Sequence, residues 1–327
     1  VTATVPRLVP APPLVDDEDF ATALGLAPAA VEGLEPELDQ EEAAAARLLR
    51  FHFLANRPEP AAFPRVALRL LDLVIDDEVD MGELCRLVEL DQAMAGAVLA
   101  RANAAAGRAL DPIETVRHAV TRVGLSEVAR VAASTALRTL YDDQACHGFG
   151  AHGSLWPVLF EHAVVSGRLA ADLARGRRDA PPDLAFMAGL LHDVGLAVGM
   201  RSLTSLTLDG TLPAREPASA LRILLQGHVE LGVEAARTWR LPRRLVEVVE
   251  RHHEEGLPPG PALATVHLVR VASALDLLLA VPGASPGSAR EAVQGARALG
   301  GSPAWIAAAV ARRDDAVAWT RRCFAQP

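Results

Sequence analysis

Residues 189–198 read "GLLHDVGLAV", a histidine and an aspartate side by side in an otherwise apolar run. A run of that kind goes inside, and an ionisable pair carried into the interior is costly unless other groups satisfy it. His192 and Asp193 therefore need partners from elsewhere in the chain, and the fold has to deliver them. Three outcomes stand open for the pair: a working metal site, a site that has lost part of its equipment, or a structural pair held by hydrogen bonds.

The kind of fold follows from what surrounds it. The chain has 327 residues and is 50% hydrophobic, enough for a sizeable core and, by length, for two or three domains. Aromatic residues are only 4%, while alanine and leucine dominate, which favours helices over sheets. No stretch alternates like a strand and no fixed-period repeat occurs, so the expected class is all-α, a multi-helix bundle. No apolar run is expected to span a membrane, and "VTATVPRLVPAPPLVDDEDF" lacks the pattern of a signal peptide. Cys85, Cys146 and Cys323 are distant and odd in number, as expected of free thiols in a reducing cytoplasm.

Charge narrows the partners. The net charge is −9, and residues 1–60 hold eleven acidic against four basic side chains. No basic stripe of the kind that grips nucleic acid is present, and nothing points to a membrane partner. Arginine pairs such as Arg243-Arg244 and Arg321-Arg322 read as solvated helix faces. The chain contains no lysine at all, so any chemistry that needs one is excluded.

Four segments are expected. Residues 1–60 form an acidic, proline-rich arm with helices, in which Leu48, Leu49, Phe51 and Phe53 mark an apolar face. "RPEPAAFP" (57–64) is a linker. Residues 61–141 form a first helical part; within it Asp111, Pro112 and Glu114 suggest an N-cap, N1 and N3, and Gly124 a stop. A glycine-rich loop (142–154) leads to a helical core at 155–280. Its helices are expected at about 155–175, 183–194, 217–225, 227–239, 242–253 and 262–280, with 200–216 as loop. Residues 288–327 form a helical tail, in which Ser302-Pro303 are the N-cap and N1 of a helix. Its Trp305 and Trp319 belong in the core, or on a face that serves self-association into a homo-oligomer.

The core holds His162, His192, Asp193, His228, His252 and His253 on or beside separate expected helices. Donors that project inward from several helices are how bundles build metal sites. Mixed imidazole and carboxylate ligands suit a divalent transition metal, Fe, Mn or Zn. The other histidines, His52, His118, His147, His152 and His267, read as surface or packing residues.

These residues carry a family resemblance. His162 followed by "GLLHDVG" resembles the opening of the HD superfamily of metal-dependent phosphohydrolases. "GHVELGVEAARTWRLPRRLVEVVERHHE" (227–254) is more specific: a histidine, a glycine four residues on, W-x-L-P, then a histidine pair resemble the HDOD domain, the HD-related output domain. The run from Asp91 to Asn103, then "PIETVRHAVTRVGLSEV", resembles the earlier HDOD segments, so the likeness spans roughly residues 62–280. It implies a bacterial-type signalling or regulatory protein that acts by binding a protein partner or a small ligand such as a nucleotide. In the related HD-GYP phosphodiesterases a similar set holds metals and hydrolyses cyclic di-GMP. His162, His192, Asp193, His228, His252 and His253 match those ligands by position, with Asp193 as the bridging carboxylate. The alternative is thus a metal-dependent phosphohydrolase acting on a nucleotide or cyclic nucleotide, with Asp193 at its catalytic centre. Three departures count against it. Leu196 replaces the lysine of "HDIGK", although Gly195 keeps the turn; the GYP segment is missing from "HHEEGLPPGP"; and Ser273 aligns with the late aspartate, Asp276 lying about one turn on.

Overall fold

The computed structural model describes residues 38–56, 69–70, 80–106, 112–141, 152–280 and 286–324. Expectations for the first 37 residues, the 57–64 linker, Asp111, Cys146, His147 and most of the 142–154 loop lie outside those residues. The described residues are helical and contain no strand. In chain order they form α1 (Gln40–Asn56), α2 (Met81–Glu89), α3 (Gln92–Ala106), α4 (Val116–Val123) and α5 (Leu125–Arg138), which a 3-10 turn extends to Tyr141. Then come α6 (Leu155–Ala174), α7 (Pro182–Leu191), α8 (Val194–Leu208), α9 (Pro217–Leu225), α10 (His228–Thr238) and α11 (Arg243–Arg251). The last three are α12 (Ala264–Ala280), α13 (Pro286–Ala298) and α14 (Pro303–Phe324).

The core is layered around α6, which packs on α7, α12 and α14 and is buried over most of its circumference. Helices that are apolar on all sides are central ones. By length and composition two stretches, 182–208 and 261–280, would reach across a membrane, contrary to the expectation that none would. Their apolar windows are 94% and 72% buried inside the protein, the property of core helices.

Glycine sets how closely these helices meet. At the α6–α7 crossing, a Cβ on Gly167 would lie 2.7 Å from the Phe186 carbonyl, and one on Gly189 2.7 Å from the Gly167 Cα. At the α8–α10 crossing, a Cβ on Gly195 would lie 1.7 Å from the His228 carbonyl oxygen. The two crossings bring backbones into direct contact, which is what draws His162, His192 and His228 together. Gly195 therefore does not keep a turn: it sits in the first turn of α8 and admits α10. The glycine four residues after His228 has the same role, since the Gly232 amide faces Gly195.

Other expectations need revision. The stretch 200–216 is helical as far as Leu208, because α8 is buried on most sides and so shows no amphipathic period. Pro112 and Glu114 precede α4, whose N-cap is Thr115, with its hydroxyl accepting from the His118 amide. Phe51 is exposed while Leu49 and Phe53 are buried, because residues two apart on a helix do not share one face. By contrast Ser302 does cap α14, taking the Trp305 amide. Trp319 is core, whereas Trp305 is half-buried.

The segments are tied by ion pairs. Arg130 of α5 grips Asp183 of α7 with two nitrogens at 2.6 and 3.0 Å. Glu42 of α1 is buried against Ser219 and Arg222 of α9 and shares a capping box with Asp39. Asp91 caps α3, and Asn103 clamps Ile113 through both its amide and carbonyl groups, so these two family-like residues hold the backbone.

Candidate metal centre

The six residues singled out in the sequence converge on one point. Asp193 lies at its middle, between the end of α7 and the start of α8, where the chain turns at His192 and Asp193. One carboxylate oxygen, Oδ2, faces His192 Nε2 at 3.2 Å and His162 Nε2 at 3.6 Å. The other, Oδ1, faces His252 Nε2 at 3.2 Å and His228 Nε2 at 3.5 Å. His253 completes the second group; its ring lies 4.1 Å from that of His252 and 5.0 Å from that of His228. Both groups, His162–His192–Asp193 and Asp193–His228–His252–His253, place their ligand atoms within 4.8 Å of one another. Asp193 belongs to both, and the cluster is one that can hold a metal.

The helices fix which ring nitrogen faces inward. His192 Nδ1–H donates to the Gly189 carbonyl at 2.7 Å, His228 Nδ1–H to Leu225 at 2.8 Å and His252 Nδ1–H to Val249 at 2.9 Å. Each carbonyl belongs to the turn just before its histidine, so the same local geometry recurs three times. A carbonyl only accepts, so Nδ1 carries a proton and each ring turns its Nε2 toward Asp193. Three imidazole nitrogens thus crowd one carboxylate, an arrangement that shared protons or a cation between them stabilises. His228 Nε2 is buried and has no hydrogen-bond partner among the described residues. Orphaned buried nitrogens of this kind ask for an ion or a proton. The donor set therefore fits a metal.

The remaining two histidines are held by carboxylates. His162 Nδ1–H donates to Asp276 at 2.8 Å, and Asp276 is itself gripped by Arg313 of α14 at 2.9 and 3.0 Å. His253 Nδ1–H donates to Glu291 of α13 at 2.6 Å. These are carboxylate–histidine pairs of the kind that orient metal ligands. Neither Glu291 nor Arg313 was visible in the sequence, since each sits far along the chain in a segment read only as a tail. Asp276 does not replace Ser273: it supports His162 from behind, while the Ser273 hydroxyl lies between His162 Nε2 (3.2 Å) and His192 Nε2 (3.1 Å). Glu161, the neighbour of His162, points away to Arg321, and Leu196 is buried in the apolar core.

Electrostatics follow from this wiring. Burial pushes the Asp193 carboxyl up, but His192, His252 and His228 outweigh it and hold it well below the usual carboxylate range. Burial, helped by His253, takes His252 down to about 3, and burial lowers His228 as well, so both rings give up their second proton readily and are available to ligate. For His162 burial also works downward, but Asp276 and then Asp193 prevail and raise it; Glu291 does the same for His253.

A model of the HDOD domain matches residues 61–255. A curated relative, an uncharacterized protein of Treponema pallidum (strain Nichols), is 26% identical over 215 residues, 61% of this chain and 38% of its own; the chain thus spans well under half of that relative's length. Among solved structures, an HDOD domain protein of unknown function from Geobacter sulfurreducens matches with a TM-score of 0.63 at 23% identity, over 87% of this chain and 99% of its own. A protein of Marinobacter aquaeolei VT8, provisionally assigned to signal transduction, gives 0.58 at 22% identity, over 96% of this chain and 67% of its own. One of Shewanella amazonensis SB2B, provisionally assigned as a metal-dependent phosphohydrolase, gives 0.52 at 18% identity, over 71% and 83%. At these identities the likeness to solved structures is one of fold.

Proposed function

This chain belongs to the HDOD family, and on that footing we propose that it is a bacterial, cytoplasmic regulatory protein whose core binds a divalent transition metal. In this reading it acts by engaging a signalling protein or a small ligand such as a nucleotide, not by turnover. The observation that carries the metal is the convergence of His192, His228 and His252, each with Nδ1 tied to a carbonyl, on one ionised carboxylate. Asp193 would bridge the two groups, and His162 and His253 would complete them. A bound Fe, Mn or Zn ion would supply a Lewis acid and a fixed positive charge there. Asp276 and Glu291 would keep the outer two imidazoles aimed inward.

Several features argue against turnover. The ligand side chains apart from His253 are nearly closed off from solvent, from 0 to 11% exposed. Ser273 offers a neutral hydroxyl where a further carboxylate ligand would stand. The position of the phosphohydrolase lysine is an apolar core residue, Leu196, and the sequence contains no lysine elsewhere. The second reading, a phosphohydrolase acting on a nucleotide or cyclic nucleotide, draws on one observation: the two oxygens of Asp193 serve separate imidazole groups, the layout of a two-metal site.

Elemental analysis of protein purified without chelators tests the first reading. We expect a stoichiometric transition metal, absent from Asp193→Asn; a metal-free wild type would overturn it. Hydrolysis of a generic phosphodiester by the loaded protein, abolished in His192→Ala, would decide for the second.

A further inference from the structure

Away from the metal centre, α3, α6 and α14 meet at a cleft of about 340 Å3, at the small end of the range for ligand sites. Five arginines line it. On α14, Arg312 and Arg322 stand ten residues apart, about 15 Å along the helix axis, and Asp315 and Trp319 share their face at helical spacing. Arg168 and Arg175 come from α6 with Asp172 between them, and Arg101 from α3.

The floor of the cleft is already wired. Glu127 accepts from Arg101 and Arg168, both at 2.8 Å, and from the Trp319 indole N–H at 2.6 Å. Asp172 takes Arg175 at 2.7 Å and Arg168 at 3.4 Å. Two carboxylates thus occupy three guanidiniums and hold them in place, with Arg101 and Arg168 only 18% and 15% exposed. Arg312 and Arg322 have no carboxylate within salt-bridge distance among the described residues. Even with Asp315 and Glu127 counted, the cleft keeps a net positive charge in a chain whose formal charge is −9. Arg321 and Arg322 are exposed, in keeping with the solvated face expected from the sequence, and Arg322 lines this cleft.

From this placement we infer that the cleft is a binding site for a small polyanion carrying two or more phosphate groups, gripped by Arg312 and Arg322 against the pre-positioned Arg101, Arg168 and Arg175. Guanidinium forks match phosphate oxygens in pairs, which single lysines do not. The Trp319 ring is buried with Arg168 over its face, so no open aromatic surface is offered to a base. Recognition is therefore of the phosphates alone, whether the ligand is an inorganic polyphosphate or the tail of a nucleotide. The site joins three parts of the chain and is distinct from the Asp193 cluster; the next residue after Arg312, Arg313, turns to Asp276 instead.

The test is calorimetric titration of the full chain with tripolyphosphate and, separately, with ATP, in the presence of EDTA so that no metal-held phosphate contributes. We expect saturable one-to-one binding of both within a factor of about three, weakening as salt rises. R312Q/R322Q should weaken both at least tenfold while leaving the thermal melt unchanged, since neither side chain has an internal carboxylate to lose. No binding of tripolyphosphate, binding of ATP alone, or binding untouched by R312Q/R322Q would each overturn the proposal. Citrate binding as tightly as tripolyphosphate would also overturn it. None of these outcomes depends on whether the Asp193 cluster binds metal.

Discussion

Replacing Gly195 by alanine tests how the site is assembled. The added Cβ would stand 1.7 Å from the His228 carbonyl oxygen and 2.7 Å from the Gly232 nitrogen, and both obstacles are backbone. Cβ contacts essentially never fall below 3.0 Å, so α8 and α10 must part by at least about 1.3 Å at this point. Metal–ligand distances tolerate only about 0.2 Å, and His228 is the first residue of the helix that has to move. Overpacking a core costs about 1–3 kcal/mol, and an obstacle with no flexible side chain belongs at the upper end. Changes that merely tilt a metal ligand cost roughly 10–100-fold in affinity, and displacing His228 should reach at least the upper figure. Thermal melts and metal content of Gly195→Ala read both effects. The control is Gly199→Ala, one turn on, whose Cβ would meet only the tips of Leu224 and Leu231 at 3.0 and 3.1 Å. Those side chains can swing away, so it should change little. A Gly195→Ala protein with wild-type melting and wild-type metal content would refute the argument that this crossing positions His228.

Three further outcomes are expected. Asp276→Asn should lower metal affinity about 10–100-fold in a chelator competition, because His162 loses the carboxylate that aims it; an unchanged affinity would sink that role. Leu196→Lys should destabilise the fold by several kcal/mol in denaturant titrations without conferring phosphodiester hydrolysis, since position 196 is only 3% exposed and offers a charge no partner. Arg222, then Ser219, holds the Glu42 carboxyl at about 2 against an ordinary 4.5. A depressed acid stabilises above its unfolded pKa, so the anchorage of α1 should be complete above about pH 4.5 and fade as pH falls toward 2. Hydrogen exchange across residues 40–56 measures this; a step at that pH that survives in Glu42→Gln would assign it to another group.

The parts of the fold that could be read in advance are those whose signal is local. Ser302-Pro303 announces α14 because a hydroxyl and a fixed φ act on the next turn, and "GLLHDVG" announces a buried polar pair because nothing around it is polar. The second half of α8 could not be read, because a helix buried on most sides has no polar face to set its period, and its Ser202 and Thr204 look like loop residues until they are seen inside the core. The same distinction divides the site. The five histidines and Asp193 stand out as polar residues on apolar helices, so residue type and order identify them. What aims them is of two kinds. Three are held by carbonyls of their own preceding turn, a consequence of ending or starting a helix at the histidine, which any sequence can do. The other two depend on Asp276 and Glu291, and Asp276 in turn on Arg313, at separations of 114, 38 and 37 residues. Charged residues at such distances carry no pattern of their own, and only packing α12, α13 and α14 onto the core selects these from the others. The C-terminal helices are therefore part of the site's support, and a chain cut after α12 would keep all six candidate ligands but free His253 from Glu291 and leave Asp276, the residue that aims His162, without Arg313.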